Sequence, residues 1–220
     1  MKGKLKFDYS VIIPALTILG LGLITLNSAL AHNPRLFYLQ TAWVGVGLIA
    51  FFSAAFSDIR MWERMAIPLY ASNIILLTLV LFIGKEIGGA QRWLDLGFMN
   101  FQVSELTKIS IILFIAHRLS MKPTLEDGYN LFDVFPEAVA TFISMGLIYK
   151  EPDLGSSLLV GSIALIMIMS SKINKKWLLG AFVFLIISAP LAWSFVLKEY
   201  QKKRIVAIVT MISSDGSDLS

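Results

Sequence analysis

Apolar runs of roughly twenty residues, separated by short polar breaks, recur along the chain from Tyr9 almost to its end. At 1.5 Å rise per residue, a helix of about 20 residues crosses the roughly 30 Å hydrocarbon core of a bilayer. The pattern predicts helices over 9–31, 36–56, 65–84, 102–120, 134–149, 154–171 and 177–197. The fifth is the shortest, and Glu137 lies near its start. The fold class that follows is all-α, a polytopic transmembrane helix bundle of about seven spans. Residues 1–209 form a single integral membrane domain on this reading. Residues 210–220 shift abruptly to small and polar types and read as an unstructured tail. The basic N-terminus MKGKLKFDYS precedes an apolar run, Tyr9 to Leu30, that is too long for a signal-peptide core and is followed by more such runs. It reads as a retained first span.

Charge placement orients the bundle. With the N-terminus in the cytoplasm, the inner side carries Lys2, Lys4, Lys6, Arg60, Arg64, Arg118, Lys122, Lys172, Lys175 and Lys176. The outer loops carry Arg35, Lys85, Arg92 and Lys150. This asymmetry favours the N-in orientation. The segment KEYQKKR, Lys198 to Arg204, runs against it, because seven spans place it outside. Tyr200 to Val209 read as a basic amphipathic helix on the membrane surface, or else one predicted span is absent.

Composition narrows the chemistry. The chain is 56% hydrophobic and 15% charged, with a mean hydropathy of +0.73, which excludes an ordinary soluble domain. The net charge of +4 sits at the ends of apolar runs, a pattern of membrane orientation rather than nucleic-acid binding. There is no cysteine, hence no disulfide frame and no thiolate chemistry. His32 and His117 are too few for a histidine-rich metal centre. Neither a G-x-x-x-x-G-K loop nor an H-E-x-x-H helix is present.

Two polar stretches interrupt the apolar background. The first, GGAQRWLDLGFMNFQVSELTK, runs from Gly88 to Lys108 as an outer loop entering the fourth helix. Gly88, Gly89 and Gly97 permit turns. Trp93 suits the interface, and Arg92 presents a planar fork of donors for phosphate or carboxylate. An interfacial anchor, Trp plus a snorkelling Arg, accounts for the same residues. Glu105 and Lys108 are three apart and meet on one helix face, with Gln102 extending the strip. Charges in a span are costly and face a bundle interior or a watery cavity. They read either as a structural pair locking helix packing or as the wall of a cavity with Arg92 and Lys108 holding an anion. The second stretch, KEPDLGSS, runs from Lys150 to Ser157. Asp153 suits a helix N-cap, and Gly155, Ser156 and Ser157 allow close helix approach. Glu151 and Asp153 share the outer side with Arg92, where carboxylates can bind a divalent cation or act in proton transfer.

The segments GAQRWLDLGFMNFQVSELTKI, EPDLGSSLLV and EYQKKRI, in this order, resemble the RodA/FtsW/SpoVE family of shape, elongation, division and sporulation proteins, most closely its rod-shape branch. The resemblance runs up to about Val209. It implies a membrane glycosyltransferase that polymerises lipid II, the undecaprenyl-pyrophosphate-linked disaccharide peptide, into peptidoglycan outside the bacterial cytoplasmic membrane. The partner it implies is a class B penicillin-binding protein, and the cofactor a divalent cation, Mg or Mn. An older view of the family makes these proteins lipid II flippases. Carried over by motif, the substrate-binding positions are Arg92, Trp93, Glu105, Lys108 and Asp153. Val103 stands where the family pattern Phe-Gln-Pro-Ser-Glu has proline, a change that a helix start tolerates. The family's later outer loop, with the His-Thr-Asp-Phe motif that holds its catalytic aspartate, has no counterpart here. The chain therefore resembles the first seven spans of such a protein, cut short or frame-shifted near Val209, inactive or incomplete by itself, and no catalytic residue is assigned. A non-catalytic membrane partner of the cell-wall machinery is the further alternative.

Overall fold

The computed structural model describes residues 9–30, 34–87, 90–97, 99–123 and 128–171, with isolated positions from 173 onward. Six helices are described: α1 (Tyr9–Ala29), α2 (Pro34–Phe56), α3 (Ile59–Ile83), α4 (Val103–Ser120), α5 (Phe135–Lys150) and α6 (Leu154–Ser170). Most of the predicted seventh span, 177–197, of the basic segment 200–209 and of the polar tail lies outside the described residues. By backbone contacts the chain divides into two units, residues 1–61 and 62–220.

In the first unit, α1 and α2 pack against each other with no residue of either membrane-length window buried. Both helices are apolar on every side, so their stable environment is lipid rather than a protein core. Hydroxyls on these helices bond back into their own turns, as Thr17 does to the Ile13 carbonyl at 2.8 Å and Ser53 to the Ile49 carbonyl at 2.8 Å.

The third helix starts at Ile59, six residues before the predicted start at 65. Asp58 marks the boundary, accepting the Arg60 backbone N–H at 2.9 Å. The hydropathy pattern locates the span, whereas the helix continues out of it through Arg60, Glu63 and Arg64. α1, α2 and α3 are each long and apolar enough to cross a membrane; α6, with 17 residues, is a shorter apolar helix.

The second unit has a true core. Leu77 and Val80 of α3, Val103, Ile111 and Ile115 of α4, Ala140 and Ile148 of α5, and Val160 and Ala164 of α6 are buried together. Buried polar groups tie the helices as well. Asn73 donates to the Val103 carbonyl at 3.4 Å and accepts from Ser110 Oγ at 3.2 Å, joining α3 to α4. The Tyr70 hydroxyl donates to the Ala140 carbonyl at 2.8 Å, joining α3 to α5. Close approach of α6 to α5 uses its small residues. Ser157 Oγ donates to the Met145 carbonyl at 3.0 Å, and a Cβ at Gly161 would lie 2.7 Å from Met145 Sδ.

The segment between α3 and α4, expected as a loop, forms a three-stranded antiparallel sheet in the order β1 (Lys85–Ile87), β2 (Ala90–Asp95), β3 (Asn100–Gln102). Ile87 faces Ala90, so only two residues connect the first pair, and both are glycines, a composition that suits a two-residue hairpin. Gly97, at φ +81°, turns β2 into β3 and donates its N–H to Asp95 Oδ1 at 2.9 Å. Leu94 and Phe101 pair across β2 and β3 and pack on the helix core, so one face of the sheet is seated on the bundle.

Candidate functional site at the sheet end of the bundle

Three chain segments meet at one end of the second unit: the sheet, the start of α4, and the turn between α5 and α6. Arg92 lies on β2 two residues before Leu94, hence on the same face as that core-seated side chain. Its Nη1 is 3.4 Å from Asp153 Oδ2. Gln102, where β3 passes into α4, donates from Nε2 to the same oxygen at 3.4 Å. Asp153 is also the N-cap of α6. It accepts the Ser156 backbone N–H at 3.1 Å and the Ser156 hydroxyl at 2.8 Å. One carboxylate thus caps α6 and at the same time meets Arg92 and Gln102.

Glu151 completes the cluster. It is fully buried in the α5–α6 turn, and neither carboxyl oxygen has a hydrogen-bond partner among the described residues. Burial pushes its carboxyl up to about 8, the negative charge of Asp153 adds to the rise, and Arg92 opposes it. Arg92 Nε is likewise buried without an acceptor among the described residues. Glu151 was grouped with Asp153 by sequence position, but nothing in its spacing distinguishes a buried carboxyl from a solvated one.

The other proposed residues do not contact Asp153 or Glu151 by any described hydrogen bond or ion pair. Trp93 follows Arg92 on β2, turns to the other face of the strand by alternation, and is paired in register with Gln102 of the cluster. Lys108 Nζ meets Glu105 Oε1 at 2.8 Å, as the helical spacing predicts. However, the Glu105 side chain is 57% exposed and that of Lys108 is 24% exposed. The buried side of α4 carries Ser104, Thr107, Ser110 and Ile111 instead. The pair is not locked inside the described bundle, and the reading of it as a buried packing lock is corrected accordingly. Val103 is the first residue of α4, where the tolerance of a non-proline residue was expected.

On the sheet's outer side, Lys85 Nζ and Asp95 Oδ2 form an exposed pair at 2.9 Å. The Lys85 hydrogen bond and the Gly97 N–H hold the Asp95 carboxyl below the usual carboxylate range. For the divalent cation implied by the family resemblance, the described residues present no ready donor set. Among the described residues no three acidic or histidine side chains are grouped as metal ligands. The Asp153 oxygens are already engaged by Arg92, Gln102 and Ser156, and a guanidinium beside them repels a second cation.

A second buried carboxylate lies at the far end of α4 and the start of α5, where the sequence marked Glu137 only as lying near the start of a short helix. Glu137 is fully buried, with Arg118 Nε donating to Oε1 at 3.3 Å and Lys122 Nζ 3.0 Å from Oε2, off the angle of a hydrogen bond. Lys122 Nζ also donates to the Asp133 carbonyl.

The profile of a family of cell cycle proteins, that of FtsW, RodA and SpoVE, matches residues 6–216. The chain belongs to the FtsW/RodA/SpoVE family. Among this family's proteins, the peptidoglycan glycosyltransferase MrdB of Helicobacter pylori J99 is 33% identical over 168 residues, covering 76% of this chain and 44% of that protein. A solved chain described under structural coordination of polymerization and crosslinking by a peptidoglycan synthase complex superposes with a TM-score of 0.77 at 31% identity, over 94% of this chain and 60% of that one. The crystal structure of the rod shape determining protein RodA of Thermus thermophilus superposes with a TM-score of 0.68 at 32% identity, over 82% of this chain and 59% of that one. The chain spans about half the length of the curated relatives it matches. Like these relatives, it is a multi-pass helical membrane protein of the cell-wall synthesis family.

Proposed function

We propose that this chain carries the lipid-linked substrate region of a RodA-type peptidoglycan glycosyltransferase, which extends glycan strands from lipid II for cell-wall elongation. The observation that carries this reading is the cluster of Arg92, Gln102, Asp153 and Glu151 beneath a sheet seated on a membrane bundle. Polymerising lipid II requires a sugar hydroxyl to lose its proton while a lipid pyrophosphate departs. Fixed cations at the membrane boundary stabilise such a leaving group where water is scarce. Arg92, with one edge on Asp153, and Lys108, partly exposed on α4, are the cations suited to the pyrophosphate. Asp153 holds Arg92 in place. Glu105 keeps Lys108 extended on its helix face. Trp93, on the other face of β2, suits the interface and the glycan. The general base is not assigned to a residue of this chain.

On this reading the protein lies in the bacterial cytoplasmic membrane with its N-terminus inside, so the sheet is extracytoplasmic, in keeping with the basic inner loops. A class B penicillin-binding protein is the partner. A relative described as part of a synthase complex that couples polymerization with crosslinking supports that assignment.

The test is binding of lipid II to the 220-residue chain in nanodiscs, with undecaprenyl phosphate as the control lipid. Arg92→Ala and Lys108→Ala should each weaken binding by about tenfold, the loss of one charge-assisted contact worth roughly 1.5–3 kcal/mol. Equal affinity for wild type and both variants would refute the substrate region. Vesicles that move lipid II across the bilayer through this chain would favour transport instead.

A further inference from the structure

Glu151 and Arg92 carry complementary unmet needs. Among the described residues, both Glu151 oxygens are buried without a donor, and Arg92 Nε is buried without an acceptor. Asp153, two residues from Glu151, is in the opposite condition, with Arg92, Gln102, the Ser156 N–H and the Ser156 hydroxyl all directed at it. One guanidinium therefore stands against two carboxyl groups. A charged carboxylate sealed from water with no donor is so unfavourable that such groups take up a proton instead. The unused Arg92 Nε–H is the donor that a charged Glu151 would require.

We propose that Glu151 is a positioning residue for Arg92: protonated, it leaves the guanidinium on Asp153; deprotonated, it competes for that guanidinium through the free Nε–H. The inference rests on the reading of this cluster as part of the lipid-linked substrate site and adds proton control of its arginine. The charged groups facing Glu151 are Arg92 from β2 and Asp153 from the start of α6. Lys150, its neighbour at the end of α5, is exposed, and Glu105 and Lys108 on α4 satisfy each other. The protonated state predominates below a value of about 8, so Arg92 is held on Asp153 at neutral pH. A lipid pyrophosphate then meets an arginine in a fixed place. As pH rises past that value the arginine acquires a second acceptor, and substrate affinity should fall by as much as about tenfold per pH unit if binding requires the protonated form.

The experiment uses the full 220-residue chain in nanodiscs and two readouts. Infrared difference spectra between about pH 6 and pH 10 report the protonated carboxyl directly. Lipid II affinity over the same range reports Arg92. The expected result is a protonated-carboxyl band at neutral pH that disappears near 8, is absent from Glu151→Gln, and tracks a fall in wild-type affinity that Glu151→Gln flattens. Wild-type protein lacking the band at neutral pH overturns the inference, whether or not lipid II binds, and needs no variant to fold. A titrating band with affinity unchanged through the transition overturns the positioning role. A titrating band with no lipid II binding at any pH supports the proton on Glu151 and refutes the functional reading on which its role was placed.

Discussion

Replacing Lys122 with methionine tests how the α4–α5 hairpin is closed. Glu137 is fully buried, and two cations approach it, Lys122 at 3.0 Å and Arg118 at 3.3 Å. At an effective dielectric of about 20, a contact near 3 Å is worth on the order of 5 kcal/mol before desolvation. Desolvation of three groups offsets most of this, so the intact cluster adds little net stability. Removing one partner is different, because the carboxylate stays buried. Lys122 is the more sheltered cation, 13% exposed against 37% for Arg118. Methionine keeps the apolar stem and deletes the charge. The expected loss is about 3 kcal/mol, the low end for breaking a buried pair, because Arg118 remains. The assay is unfolding in mixed detergent micelles, followed by circular dichroism, for Lys122→Met, Glu137→Gln and the double variant. Neutralising Glu137 removes the stranded charge, so the double variant should recover about 2 kcal/mol of the Lys122→Met loss. A Lys122→Met loss below about 0.5 kcal/mol, or a double variant no better than the single one, would refute the buried cluster.

Three further outcomes follow from the same geometry. Glu151, raised from 4.5 to about 8, binds more protons folded than unfolded in that window. Its contribution is therefore fully present below 4.5 and is lost as pH rises to about 8 at up to roughly 1.4 kcal/mol per pH unit; Glu151→Gln should remove this slope in unfolding measured against pH, and an unchanged slope would contradict it. Lys108→Ala should cost less than about 1 kcal/mol, because the Glu105 side chain is more than half exposed; a loss above about 3 kcal/mol in the micelle assay would mean that the pair is buried after all. Gly161→Ile should destabilise by about 1–3 kcal/mol by driving α6 from Met145, whereas Gly161→Ala should do much less because the Met145 thioether is flexible; equal effects would show that the α5–α6 contact is not tight.

Much of the helix order was legible because the bilayer demands long apolar runs, and those runs are visible residue by residue. All six described helices fall on predicted segments, including the short fifth one. The start of α3 was misplaced because hydropathy reports lipid contact, while a helix can continue through Arg60 and Arg64 into water. The sheet was missed for a related reason: its strands are three to six residues long and carry no strong alternation, and its clearest signal, two glycines between Ile87 and Ala90, was read only as a turn. The Glu105–Lys108 pair was readable because helical geometry brings positions three apart together, but which way the pair faces depends on neighbouring helices.

A multi-pass helical chain, the cap at Asp153 and the set of polar residues exceptional in so apolar a protein can all be read along the chain. Those properties are local, set by composition and by spacing within one turn or one run. It takes the packed bundle to bring Arg92 across 61 positions to Asp153, to add Gln102, and to seal Glu151 without a partner among the described residues while Glu105 is open. Burial and long-range pairing depend on how the sheet and three helices meet, and no single segment encodes that meeting. It is the same meeting that seals an ordinary glutamate of a helix turn beside Arg92.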